Sequence, residues 1–331
     1  MVKPYVFITR KLPEELVQPL RNIAAVEMWD QEEEPVPYEL LVEKTKKAAA
    51  LLTMLSDKMD ENIMKEAPHL KVIANLAVGY DNIDIGAATS RGIVVCNTPD
   101  VLSDTTADLT FGLLMATARR LTEAAEYVKK GEWQGWSPYL LAGRDIHHKA
   151  IGIIGMGNIG RALAKRATGF EMEILYHNRS RQLEAEKELG ATYCSFDELI
   201  TRSDYIVCLT PLTNETKHLF NAEAFKKMKK SAIFINASRG AVVDEDALLQ
   251  ALKEGEIAAA GLDVFTKEPI DQHHPLLGLS NVVALPHIGS ASIETRTAMI
   301  QLCIDNIQLM LESHKPKTVV NKDVLAQYCS S

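Results

Sequence analysis

Very little in this sequence would tie it to a membrane, a metal or a nucleic acid. The five cysteines, Cys96, Cys194, Cys208, Cys303 and Cys329, are scattered and form no C-x-x-C. That spacing argues against a zinc site, and an odd, dispersed set reads as reduced thiols in a cytoplasmic protein. No apolar run approaches the ~20 residues that span a bilayer, so no membrane contact is expected. The opening Met1-Val-Lys-Pro-Tyr-Val-Phe-Ile8 reads as a strand and not as a signal peptide. Positive charge is in deficit: 36 Lys and Arg against 44 Asp and Glu leave a net charge of −8. With no basic stripe or tail, nucleic acid is not an expected partner. His147-His148 lie in a polar loop and no metal is expected there.

What is present is an ordinary globular balance, 47% apolar and 24% charged over 331 residues, a length that suits two domains. Apolar strand-like runs at 5–8, 26–29, 48–53, 72–75 and 93–96 alternate with helical patterns. After a long helical stretch at 103–120 and a Trp/Gly-rich loop at 131–143, further runs fall at 150–154, 172–176, 205–209, 231–236, 258–262 and 282–284. A last helical pattern covers 292–312. This rhythm predicts an α/β protein of two doubly wound parallel-sheet domains, with the substrate in a cleft between them.

The most specific segment is Gly155-Met-Gly157-Asn158-Ile159-Gly160. It follows a short apolar run and opens a helical pattern, the strand-turn-helix context of a dinucleotide fingerprint. Gly155 permits the tight turn, Gly157 lets the backbone approach a pyrophosphate, and Gly160 allows the helix to pack on the strand. The second strand of such a unit ordinarily ends in an acid for the ribose 2′-hydroxyl. Here it ends His177-Asn178-Arg179-Ser180-Arg181, with no acid. Arginines and a serine suit a 2′-phosphate, which favours NADP(H) over NAD(H) unless Arg179 and Arg181 are ordinary solvated loop charges.

Three polar groups leave the carboxyl ends of later strands: Arg239 in Asn236-Ala-Ser-Arg239-Gly240, Glu268 in Asp263-Val-Phe-Thr-Lys-Glu268-Pro269, and His287 in Pro286-His287-Ile-Gly-Ser290. Reduction of a 2-keto acid needs this set. Arginine binds the carboxylate and polarises the carbonyl. Histidine donates a proton to the developing alkoxide. Glutamate pairs with the histidine and fixes its tautomer. Each residue singly also has a plain structural reading as a cap, turn or surface pair.

These segments together resemble the D-isomer-specific 2-hydroxyacid dehydrogenase family. The likeness runs over nearly the whole chain and includes Asn75-Leu-Ala-Val78-Gly79-Tyr-Asp-Asn-Ile-Asp84 and Cys208-Leu-Thr-Pro211-Leu-Thr-Asn-Glu-Thr216. It implies that Arg239, Glu268 and His287 are catalytic. It implies that the backbone at Val78 and Gly79 receives the substrate carboxylate, with Ser290 near it. It gives Asp263 to the nicotinamide carboxamide, and Thr106, Pro211, Thr216 and Ala237 to the cofactor lining. It also implies a discontinuous flavodoxin-like substrate domain, 1–99 with 289–331, and a Rossmann NADP-binding domain, 100–288.

Leu52-Thr-Met-Leu55-Ser-Asp57 and Gly131-Glu-Trp133-Gln-Gly-Trp136 look like the NADPH-dependent glyoxylate/hydroxypyruvate reductase branch. In that branch the second tryptophan comes from the other subunit of a homodimer and limits the pocket, which Leu55 and Val78 also line. The two tryptophans are otherwise interface or loop-packing aromatics. Other readings are a 2-ketogluconate reductase of the same family and a non-catalytic NAD(H)-sensing binding protein.

Overall fold

The computed structural model describes residues 3–327, so Cys329 lies outside the described residues. Two compact units form. One is built from residues up to Leu102 together with those from Ser292 on; the other is Ser103–Ala291. Both are α/β units with wholly parallel sheets, and each is described by itself.

The first unit contains β1 (Tyr5–Ile8), α1 (Glu14–Ile23), β2 (Ala25–Met28), α2 (Tyr38–Thr45), β3 (Ala50–Thr53), α3 (Glu61–Lys65), β4 (Val72–Asn75), α4 (Ile85–Ser90) and β5 (Val94–Cys96). The strand order is β2-β1-β3-β4-β5. β3, β4 and β5 are buried at every residue, which is why they read as unbroken apolar runs and not as alternating ones. Phe7, Leu51, Ile73 and Val95 pack with Leu41 and Ile63 on one side of this sheet. Short helices start where side chains cap them: Asp60 accepts from the Ile63 N–H and Asp84 from that of Ala87.

The strand order reverses between β1 and β3, and the carboxyl ends of those strands carry a buried polar knot. Asp57 accepts from the Thr9 hydroxyl and, at 2.7 Å, from the Met54 N–H, with the Arg10 guanidinium 3.6 Å away. Burial pushes the Asp57 carboxyl up, against the pull of Thr9, Met54 and Arg10. The knot fixes the 54–57 turn that bears Leu55.

The second unit begins with α5 (Ser103–Ala118) and α6 (Leu121–Lys129). It continues through β6 (Ala150–Ile154), α7 (Asn158–Thr168), β7 (Glu173–His177), α8 (Leu183–Leu189), β8 (Thr192–Tyr193), α9 (Phe196–Arg202) and β9 (Tyr205–Cys208). It ends with α10 (Ala222–Lys227), β10 (Ile233–Asn236), α11 (Glu245–Glu254), β11 (Ala259–Leu262) and β12 (Val282–Ala284). The order β12-β11-β10-β9-β6-β7-β8 places β6 at the reversal. Alternate residues face opposite sides of this sheet. Leu175, Ile206 and Phe234 pack with Phe220 and Phe225; Ile153, Val207 and Ile235 pack with Leu113 and Leu163.

Two elements differ from the sequence pattern. The helix expected to Arg120 stops at Ala118, since Arg120 takes a left-handed φ of 54°, and α6 then starts afresh. β8 is two residues long, too short to show a period.

The chain returns to the first unit through α12 (Ile293–Leu311), capped by Ser292, whose side chain accepts from the Thr295 N–H. Residues beyond α12 close the free edge of β5. Val320 N–H donates to the Val95 carbonyl, and Asn321 accepts from the Val95 N–H and donates to the Ile93 carbonyl, each at 2.8 Å.

Candidate active site

The loop between β6 and α7 lies at the topological switch of the second sheet, where open α/β sheets bind ligands. Gly155 has a φ of 103°, and a Cβ there would stand 2.7 Å from the Leu209 carbonyl carbon and the Thr210 nitrogen. A Cβ on Gly160 would stand 2.2 Å from the Gly155 oxygen. A Cβ on Gly157 would meet nothing within 4 Å outside its own chain neighbours and helix backbone. Two of the glycines are thus demanded by close packing. The middle one leaves room against the N-terminus of α7, which begins at Asn158-Ile159. This cradle fits a dinucleotide pyrophosphate. Asn178, expected among the cofactor residues, shapes the loop itself: its side-chain oxygen accepts from the Met156 N–H at 3.1 Å.

Beyond β7 the two arginines differ. Arg181 donates to Glu186 through Nε, at 2.9 Å, and through Nη2, and the Tyr176 hydroxyl donates to the same carboxylate at 2.6 Å. The Arg181 bonds first, then that of Tyr176, hold the Glu186 carboxyl below its usual value. Arg179 and Ser180 are exposed at the tip of the loop. His177 donates from Nδ1 to the Cys194 carbonyl at 2.9 Å and stacks beside Tyr193.

After β9, Thr216 donates to the Pro211 carbonyl and accepts from the Thr213 N–H, both at 2.7 Å. That turn is held by its own groups, and the Ala237 N–H reaches the Cys208 carbonyl at 3.3 Å.

The ends of β10, β11 and β12 bring the acid–base set together. His287 Nδ1 stands 2.7 Å from Glu268 Oε2, and the second Glu268 oxygen accepts from the Phe265 N–H at 2.9 Å. With Nδ1–H committed to a carboxylate, Nε2 faces no hydrogen-bond partner among the described residues. The two side chains are 21% and 29% exposed, so the pair is sheltered but reachable. Burial alone would raise the Glu268 carboxyl. The hydrogen bond and charge of His287, the Phe265 N–H and the charge of Arg239 outweigh it, and the carboxyl sits below its usual range. His287 holds a left-handed φ of 54°, a strained backbone for a non-glycine residue. Its N–H donates to the Asp263 carbonyl at 2.9 Å, while the next N–H, of Ile288, donates to the Asp263 carboxylate at 2.8 Å. Burial pushes that carboxyl up. A Cβ on Gly289 would meet Asp263 at 3.2 Å and Thr106 at 3.4 Å, which puts Thr106 beside Asp263, one residue before Ser290.

Sequence reasoning missed the residue that holds Arg239. Asn236, buried at the end of β10, donates to the Arg239 carbonyl at 3.0 Å and accepts from the Ser238 N–H and hydroxyl at 3.1 and 3.0 Å. The only signal for it was an amide side chain closing an otherwise apolar strand.

Leu55, Val78 and Gly79 belong to the first unit, on turns after β3 and β4, and are half-buried. Trp136 is 83% exposed on the long loop after α6, with Trp133 at 58% and Tyr139 at 87%. Among the described residues, no group of three or more His, Cys, Asp or Glu side chains could hold a metal ion. No helix among them is long and apolar enough to cross a membrane.

A glycine cradle at the switch point of a parallel sheet, with a Glu–His pair on neighbouring strand ends, defines an oxidoreductase working with a nicotinamide cofactor. Residues 111–289 match the family model for the D-isomer specific 2-hydroxyacid dehydrogenase, NAD binding domain, and the chain belongs to that family. It is 50% identical over 328 residues to a glyoxylate reductase of Pyrococcus horikoshii, covering 98% of each chain. It superposes with a TM-score of 0.89 on a crystal structure from Thermus thermophilus, at 41% identity over 96% of this chain and 99% of the other. An NADPH-dependent glyoxylate/hydroxypyruvate reductase of Sinorhizobium meliloti, crystallised with NADP and malonate, superposes at 0.87 with 32% identity over 97% and 98% of the two chains.

Proposed function

We propose that this enzyme reduces glyoxylate, and hydroxypyruvate as a second substrate, to the corresponding 2-hydroxy acid with NADPH. The observation that carries the acid–base assignment is the 2.7 Å pairing of His287 with Glu268, with Nε2 left to face a substrate. NADPH supplies the hydride. Arg239 binds the carboxylate of the keto acid and draws electron density from its carbonyl. His287, as the imidazolium, gives its Nε2 proton to the oxygen as negative charge develops there, while its Nδ1–H stays bonded to the Glu268 carboxylate, which fixes the ring's orientation. Val78 and Gly79 offer backbone N–H groups to the carboxylate, Asp263 takes the nicotinamide amide, and Thr106, Pro211, Thr216 and Ala237 border the cofactor. Residues 1–99 with 289–331 act as the substrate domain and 100–288 as the cofactor domain.

The preference for NADPH rests on Arg179 and Ser180, which stand where an acid would exclude a 2′-phosphate. Because Glu186 already engages Arg181, Arg179 carries most of the discrimination. Arg179→Ala is expected to raise KM for NADPH about tenfold or more, the worth of one charge-assisted hydrogen bond, and to leave NADH nearly unchanged. Arg181→Ala has the smaller effect. Rates with glyoxylate, hydroxypyruvate, 2-ketogluconate and 3-phosphohydroxypyruvate, each with both cofactors, test the whole reading. No turnover of the first two, or an unmodified enzyme that favours NADH, defeats it.

We infer a homodimer from the second unit's exposed apolar surface. Leu121 and Val128 on α6 are 50% and 55% exposed, and Trp133, Trp136 and Tyr139 follow on the adjoining loop. Such a patch on a soluble chain marks an interface. Sedimentation equilibrium should give the mass of two chains, and Trp136→Glu should shift it toward one; a monomeric parent protein would refute this.

A further inference from the structure

The turn after β4 is held in an unusual way. Three consecutive carbonyls are each occupied by a donor from elsewhere in the first unit. Ala77 O accepts from the Thr98 N–H at 2.8 Å, Val78 O from Asn97 Nδ2 at 2.8 Å, and Gly79 O from Asn75 Nδ2 at 3.0 Å. A trans peptide is planar, with its N–H on the side opposite its C=O. Each pinned carbonyl therefore fixes the direction of the next residue's N–H. The N–H groups so oriented, of Val78, Gly79 and Tyr80, have no acceptor among the described residues. Val78 and Gly79 are half-buried, so their two adjacent donors are held in place without partners, a costly arrangement unless something else accepts from them.

The pins are themselves braced. Asn75 is fully buried; its oxygen accepts from the Thr53 hydroxyl at 3.0 Å, and it exchanges hydrogen bonds with the Asn82 amide. Asn82 also donates to the carbonyls of Met54 and Asp57, at 3.1 and 2.9 Å, and so ties this turn to the one bearing Leu55. The Asn97 carbonyl accepts from the Thr318 hydroxyl at 2.6 Å, and Asn306 of α12 donates to that hydroxyl at 2.8 Å.

We infer that Asn97 and Asn75 are positioning residues: they touch no reacting atom, but Asn97 aims the Gly79 N–H at the substrate carboxylate and Asn75 fixes the next peptide of the same turn. The inference rests on the proposed reduction of a 2-keto acid, and it assigns carboxylate recognition to two side-chain amides acting through the backbone. Loss of one pin lets its peptide rotate, which weakens binding of the carboxylate and leaves the chemistry of bound substrate intact.

The test uses the full-length enzyme with Asn97→Ala, Asn97→Asp and Asn75→Ser. Steady-state KM and kcat for glyoxylate, the dissociation constant of NADPH by fluorescence and the melting temperature are read for each. Asn97→Ala and Asn97→Asp are expected to raise KM about tenfold, with kcat within threefold and NADPH binding unchanged. The aspartate keeps the shape of the side chain, loses the donor and adds a negative charge, so an effect at least as large as that of alanine assigns the loss to the hydrogen bond and not to packing. Because Asn75 is buried, Asn75→Ser is judged only if its melting temperature stays near that of the parent, while Asn97 at the half-buried position keeps the test decisive. KM within twofold of the parent in both Asn97 variants overturns the inference, as does a parallel fall in kcat and NADPH affinity. If the parent enzyme itself reduces no 2-keto acid, it is the proposed function that fails.

Discussion

Replacing His287 with alanine is expected to lower kcat for keto-acid reduction by roughly two to four decades, the usual worth of a positioned proton donor. NADPH affinity should stay within about twofold, because the His287 side chain bonds to Glu268 and its tie to Asp263 is through the backbone, which alanine keeps. A variant that keeps a tenth of the parent kcat would remove His287 from the mechanism. The substitution also acts on Glu268. In the parent, the bond and charge of His287 lead the forces that hold the half-buried Glu268 carboxyl below the usual range. A carboxyl depressed on folding adds stability that is fully present above its unfolded value, about 4.3, and lost as pH falls through the lower folded value. Without the imidazole, burial is less opposed and the carboxyl rises. The variant should therefore be less stable than the parent at neutral pH, with the gap closing toward pH 3, as denaturant titrations at several pH values would show.

Gly240→Ala should be nearly as damaging without touching any reacting group. A Cβ at this position would lie 1.9 Å from the Phe265 carbonyl carbon and 2.1 Å from the Thr266 nitrogen, both rigid backbone. Arg239 precedes the glycine, and Glu268 is tied to the Phe265 N–H at 2.9 Å. The methyl group thus pushes the arginine segment and the glutamate segment apart. Overpacking against backbone costs about 3 kcal/mol, and displacement of catalytic groups by about an ångström costs about two decades in rate. Urea titration and steady-state kinetics measure both, and a variant within twofold of the parent in kcat would show that these two segments are not coupled.

The site was unevenly legible in the sequence, for physical reasons. The strands of the two sheets stood out because parallel strands covered on both faces become unbroken apolar runs, as at Ile233–Asn236 and Val72–Asn75. The glycine loop and the Glu268–His287 pair were readable because strand ends expose the residues that follow them. What escaped notice acts through backbone atoms. Asn236 holds the carbonyl of Arg239, and Asn97 that of Val78. An asparagine whose partner is a main-chain atom, three residues on or nineteen back, leaves no period and no charge pattern. Arg179 and Arg181 looked equivalent in the sequence, yet Glu186, five residues on, engages only Arg181 of the two. α6 carries its apolar residues outward, so burial could not mark it.

The path of the chain reverses the order in which the molecule can be completed during synthesis. Ser103–Ala291 is one uninterrupted stretch, so the second unit can close its sheet as soon as that stretch has left the ribosome. The first unit is begun earlier and finished later. The open edge of β5 and the face that α12 covers stay exposed until Ile293–Leu311 and then Val320 and Asn321 have emerged. From the emergence of Ala291 until Val320 and Asn321 follow, the N-terminal sheet is an unfinished edge attached to a finished dinucleotide-binding unit.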